Sequence, residues 1–591
     1  MMTGSILEPP VQVQASASPR VRVRPVKGFY WAEQALLGLA AIFYALHFMH
    51  LRADFPNHSP WMDWAKYTDE GWYGDAAIRH YLWGRWNLPG DFNPAAALPV
   101  WPVLEAVLFR FTGVSLVAAR VLTVSIFGLI LLASYFLLRR WASSRMAESV
   151  RPSFAPAIAV LLLATNPFCF AFMRMAILEP LLVLLTLCAL LLATRISGGS
   201  LFLRSWPAAT TLRYRQLVPV VVLGLVLPLM VLTKTTALFL FPAVLYALWG
   251  VTGRRWRNFV PAAGTSLAVT AAVWISYYGL VVRRHYLSDY QYLFSANTYT
   301  KITAATFWSV LQDTLLDGTW IGDTLFWSSL IALGAWLAAS AAKRFRAHSL
   351  PIALVLWVFG YAAFLAYHAN FAPRYYTVIV VPLILLLAMA FDVLLGFAIP
   401  RLPLIHGRVS AFKWGLSVTA LGSTATMLFI LIHGAQQTVH YATHPEYTFL
   451  TAIHRLGDAV QRESAVNPRH SRLVLSISGS DISLIDGLPS ICDDFGVMEL
   501  PDRVATYKPG WFAAWNNVED DKMAALAPMY RLVKIGAYPA YDDPERNLLI
   551  LYRLDPVNSP RRGRTGRRRY FINPHQRRSK KTLTAFFAAP R

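Results

Sequence analysis

Apolar runs alternate with short polar segments through most of the chain, and the runs have the length a lipid bilayer demands. Taking roughly 20 apolar residues per crossing, eleven candidate membrane helices fall at about 30–50, 116–138, 155–174, 177–194, 216–233, 236–252, 258–281, 320–341, 350–367, 375–397 and 414–434. From about 435 the texture changes. The apolar runs shorten, β-like segments occupy 472–477, 530–535 and 548–552, and a helical stretch covers 447–461. The pattern predicts an α-helical polytopic membrane protein with about 11 transmembrane helices and a small C-terminal α/β domain. Its divisions are an N-terminal tail (1–29), a transmembrane domain (30–434), an α/β domain (435–558) and a basic tail (559–591) that reads as disordered.

Composition agrees: 56% of residues are apolar, 15% are charged and the mean hydropathy is +0.42. A net charge of +23 would suit a nucleic-acid binder, but its placement argues otherwise. With the N-terminus in the cytoplasm, every inner loop is basic: Arg139, Arg140, Arg145 and Arg151; Arg195, Arg204, Arg213 and Arg215; Arg254, Arg255 and Arg257; Lys343, Arg344 and Arg346; and Arg401, Arg408 and Lys413. Outer loops carry mixed signs or almost none. The basic excess is thus a topology signal, and nucleic acid is excluded as a partner. The first apolar run lacks a small-residue cleavage site and reads as a retained anchor. Cys169, Cys188 and Cys492 have neither zinc-ligand nor disulfide-framework spacing.

This orientation gathers several polar segments on the outer face: the loop 51–115, the turn from Arg174 to Glu179, the turn around Lys234, the loop 282–319 and the turn from Tyr367 to Tyr376. Within the first, residues 69–86 have helical spacing, and 98–112 is too short to span and reads as a second interfacial helix, both set among tryptophans and tyrosines suited to the headgroup zone. Asp69 and Glu70 stand at the start of the first helix. Two readings are open: Thr68 caps a helix whose first turn carries acids that favour the dipole, or the acids do chemistry at the membrane surface.

The order of these residues resembles the GT-C superfamily of membrane glycosyltransferases, in the branch of protein O-mannosyltransferases, aminoarabinose transferases and RgtA/B/C/D-like enzymes. The resemblance rests on Asp69-Glu70 followed by Tyr73 and Ala77, the proline-led stretch from Pro99 to Arg120, Leu178-Glu179-Pro180, Leu232-Thr233-Lys234 and Pro373-Arg374-Tyr375-Tyr376, and covers roughly 30–400. It implies inverting transfer of a sugar from a polyprenyl-phosphate donor to a lipid, glycan or protein acceptor outside the cytoplasmic membrane. Under it Asp69 is the expected base, with Glu70 and Glu179 assisting. Lys234 and Arg374 are the expected ligands of the donor phosphate, with Arg79, Arg85 and Arg174 as weaker candidates. Tyr73, Tyr375, Tyr376 and His368 are possible substrate contacts. No essential metal or other cofactor is expected, although two outer acids could hold a divalent cation. Membrane lipids are the remaining partners. The competing classes are a multi-span transporter or lipid flippase, which would carry mid-span charges and paired interrupted helices, and a non-catalytic scaffold whose acids merely cap a helix.

Overall fold

The computed structural model describes residues 27–145, 153–196, 214–296, 303–341, 349–368, 372–398, 411–516, 520–543 and 546–557. The basic tail and most of the N-terminal tail lie outside them, as do many of the inner-loop arginines. The first helix, α1, is Lys27–Leu46; the loop after it, predicted by the loop charges to be outer, holds α2 (Ala65–Trp83) and α3 (Val100–Thr112). Then follow α4 (Leu116–Arg145), α5 (Ala155–Thr165), α6 (Pro167–Phe172), α7 (Leu178–Ala193), α8 (Tyr214–Thr233), α9 (Phe241–Val251) and α10 (Trp256–Tyr277). A second outer stretch carries α11 (Leu287–Ala296) and α12 (Phe307–Leu316), before α13 (Asp323–Ala341), α14 (Leu350–His368), α15 (Thr377–Ala398) and α16 (Ala411–Thr443).

Among the described residues, seven helical stretches are long and apolar enough to cross a membrane, and four shorter apolar helices accompany them. Each expected span overlaps one of these. The expected single span 155–174 is instead two helices, because Pro167 supplies no N–H and its predecessor Asn166 is extended (ψ 122°). The Asn166 side chain then accepts the Cys169 N–H at 2.9 Å and starts α6.

The first outer helix begins at Ala65, before the expected start near Asp69. Ala65 N–H donates to Asp63 Oδ1 at 2.8 Å, so the acid that fixes the start lies farther upstream. The capping reading of Thr68 is therefore corrected: its hydroxyl lies within hydrogen-bond reach of Trp64 O (3.2 Å) and Asp69 Oδ1 (3.0 Å), and both acids sit in the second turn. Asp69 and Glu70 are also buried, so they are not solvated first-turn charges.

Beyond α16 comes the C-terminal domain, called the outer domain after the side that the loop charges predict for it. The helix α17 (Thr448–Val466) begins where Asp54, from the first outer loop, accepts the N–H groups of Phe449 (2.8 Å) and Leu450 (3.1 Å). Five strands follow, β1 (Val474–Leu475), β2 (Ser490–Ile491), β3 (Trp511–Trp515), β4 (Tyr530–Pro539) and β5 (Leu548–Pro556), in the order β2-β1-β3-β5-β4. The first three are parallel and the β5 and β4 pairings antiparallel. Of the helices between strands, α18 (Gly479–Asp486) packs against α2. Residues of both parts thus enclose α2, which is where the acids lie.

Candidate active site

The acids of α2 point in different directions and meet different partners. Glu70 receives two bonds from the Arg120 guanidinium, Nε at 2.8 Å and Nη2 at 2.5 Å, and a third from Ala176 N–H at 2.9 Å. Arg120 also donates to the carbonyls of Leu51 and Ala53. Glu70 is therefore fully engaged in joining α2 to α4 and to the turn before α7.

Asp69 is held less completely. Its Oδ2 lies 3.1 Å from Arg374 Nε, yet neither atom has a partner in hydrogen-bond geometry. Arg374 is oriented instead by Asp63, which pairs with its guanidinium and accepts its backbone N–H at 2.7 Å. An oxygen attracted by a cation but receiving no proton is an open acceptor. Burial raises the Asp69 carboxyl above its ordinary range, Arg374 opposes that, and the neighbouring Asp63 and Glu179 add to it. The result is a stronger base than a carboxylate in water.

Nearby, Glu179, in the first turn of α7, pairs with Lys234. That lysine sits in extended backbone between α8 and the 3₁₀ turn Thr235–Leu240. The Tyr375 ring joins the two pairs, with Lys234 Nζ 4.2 Å and the Arg374 guanidinium 4.8 Å from its centroid. Tyr73, one turn after Asp69 on α2, faces the same charges, since Asp69, Arg374, Glu179 and Tyr375 all act on its hydroxyl. The cluster thus contains three carboxylates and two cations. Each cation has N–H groups beyond those its carboxylate takes, so an oxyanion can join without displacing the pair.

Other expected site residues lie elsewhere. Arg79 is buried in a separate network, 3.0 Å from Asp75 and 2.5 Å from Asp91, which in turn meets Arg503 of the outer domain at 3.3 Å. The structure does not bring it to Lys234 and Arg374. Arg174 donates to the carbonyls of Met49 (2.5 Å) and His50 (3.1 Å). The Tyr376 hydroxyl donates to Thr314 O at 2.9 Å, and its ring packs edge-on against Trp320. His368 ends α14, and its side chain lies outside the described residues. Asp63 and Arg120 complete the site; the resemblance includes Arg120 at the end of the stretch from Pro99 without giving it a role, and Asp63 is not among its residues. The partner of Asp63 is 311 residues away, so no local pattern marks it. Among the described residues, no group of three or more His, Cys, Asp and Glu side chains is arranged to hold a metal ion.

No family model matches the sequence, and no curated protein matches it. Solved structures do. ArnT from Cupriavidus metallidurans bound to undecaprenyl phosphate superposes with a TM-score of 0.55 at 13% identity, over 89% of this chain and 98% of that one. Its apo form gives 0.54 at 14% identity over the same shares. An oligosaccharyltransferase from Archaeoglobus fulgidus, tethered with an acceptor peptide, gives 0.49 at 13% identity, over 90% of this chain and 74% of that one. The chain therefore shares the fold of ArnT, with a small C-terminal sheet domain.

Proposed function

We propose that this chain of GT-C fold is an integral-membrane glycosyltransferase, which moves a sugar from a polyprenyl-phosphate donor to a lipid, glycan or protein acceptor on the outer side of the cytoplasmic membrane. The observation that carries the reading is the open oxygen of Asp69 beside the Arg374 cation, with Lys234 across the Tyr375 ring, in a fold shared with ArnT, whose structure is described with undecaprenyl phosphate bound. The basic inner loops support the side of the membrane.

The chemistry follows from what each group can do. Asp69 Oδ2 takes the proton of the acceptor hydroxyl as its oxygen attacks the anomeric carbon. The bond from that carbon to the phosphate oxygen breaks, and the electron pair leaves with the polyprenyl phosphate. Arg374 and Lys234 stabilise the charge that develops there. A single in-line displacement inverts the anomeric configuration. Asp63 and Glu179 orient the two cations, and Glu70 orients the helix that carries the base. A transporter or flippase would need none of this geometry and would move lipid without cleaving it.

The test uses the full-length protein in nanodiscs with undecaprenyl-phosphate-linked sugars and cell-envelope extracts as acceptor source, following release of undecaprenyl phosphate. Wild-type turnover is expected, and Asp69→Asn should lower it by roughly 10²-fold or more. Lipid movement without bond cleavage would instead support the flippase reading.

A further inference from the structure

The stretch of the outer domain that lies on α2 is Ile477 to Asp481. The Trp72 indole donates to Ile477 O at 2.9 Å, the Ser480 hydroxyl to Asp75 Oδ1 at 2.8 Å, and Gly71 N–H to Asp481 Oδ1 at 3.0 Å. The approach is so close that a Cβ at Gly71 would overlap the Ser480 carbonyl carbon and the Asp481 nitrogen. Only glycine admits this contact. It falls on the residue immediately after Asp69-Glu70, so the domain grips the turn that carries both acids.

Asp481 is 4% exposed, and its second carboxyl oxygen is buried with no hydrogen-bond partner. The groups that act on it are Glu70 and Asp69 from α2, Arg120 from α4 and Tyr541 from its own domain. Arg120 is already bidentate on Glu70. A further carboxylate here would be a buried charge with no cation of its own, which is costly. Burial, then the Glu70 charge, pushes the Asp481 carboxyl well above the usual carboxylate range.

We propose that Asp481 is a positioning residue of the site, fixing through Gly71 the turn that presents Asp69 to the acceptor. It does so as an uncharged acid whose carbonyl oxygen holds Gly71 N–H. It touches no reacting atom; it acts through the backbone of α2. This rests on the glycosyltransferase reading above.

The experiment compares Asp481→Ala and Asp481→Asn in the full-length protein in nanodiscs, using the same donor assay with wild type in every run. In Asp481→Ala, kcat should fall roughly tenfold to a hundredfold. The donor KM should stay within about twofold, because Lys234 and Arg374 are untouched. In Asp481→Asn, which is uncharged, similar in shape and keeps the accepting oxygen, kcat should stay within about threefold of wild type. Wild-type kcat in Asp481→Ala would overturn the proposal. So would an Asp481→Asn as slow as the alanine variant, or a loss that tracks a lowered melting temperature or a raised donor KM. A wild-type protein with no turnover would instead remove the function itself, and the proposal with it.

Discussion

Glu105, on α3, is fully buried, and neither of its carboxyl oxygens has a hydrogen-bond partner. Burial raises its carboxyl well above the ordinary range, with the Trp101 indole opposing that and Glu70 adding to it. A folded-state pKa above the unfolded one means its contribution to stability is complete in acid and is lost as pH rises through the folded value. Replacing the acid with a neutral side chain of the same shape removes that loss. Glu105→Gln is therefore expected to be more stable than wild type at pH 7.5 by about 1 kcal/mol or more. The gap should close near pH 4.5, and melting temperatures in detergent at the two values check it. At this scale the sequence was informative about which side chains gather, and much less about what each one does. The outer-face argument put Asp69, Glu179, Lys234 and Arg374 on one list, and the structure places them in one cluster. Asp63 takes its meaning from Arg374, 311 residues away, and its own neighbourhood in the sequence does not mark it. Glu105 and Asp481 carried no signal either, since an acid that will be buried reads in sequence like one that stays in water.

The helix α2 is the element on which both parts of the molecule bear. Asp69 and Tyr73 face the membrane bundle, Glu70 faces α4, and Gly71, Trp72 and Asp75 face the outer domain. Helical periodicity predicts such a helix, but its start lies upstream of the predicted one because the Ala65-Lys66-Tyr67 turn carries no capping residue of its own. The long membrane helices were legible since twenty apolar residues leave few alternatives. The strand Trp511–Trp515 was not, because it is buried on both faces and lacks alternation. The two-residue strands β1 and β2 are too short for any pattern, although the longer run 472–477 covers β1. A methyl group at Gly71 tests how firmly the two parts are joined. Gly71→Ala should force α18 away from α2 and cost about 1–3 kcal/mol. A melting-temperature drop with lost turnover is expected, and an unchanged value of both would mean that the helices re-seat without consequence.

For the molecule as a whole, the side of the membrane is the largest inference from charge. His58 and Asp542 stand exposed at the junction of the first outer loop and the outer domain. Cysteine at either position should be modified by an impermeant thiol reagent in intact cells with a permeable outer layer. Modification only after the cytoplasm is opened would reverse the orientation read from the basic loops. The helix that links the two parts adds a constraint of its own. With 33 residues, α16 is about 50 Å long, while the hydrocarbon core it crosses is about 30 Å thick. The surplus makes it a stalk of fixed length, followed within a few residues by the junction at which Asp54 holds the start of α17. The outer domain is therefore carried at a set height, the one at which α18 meets α2.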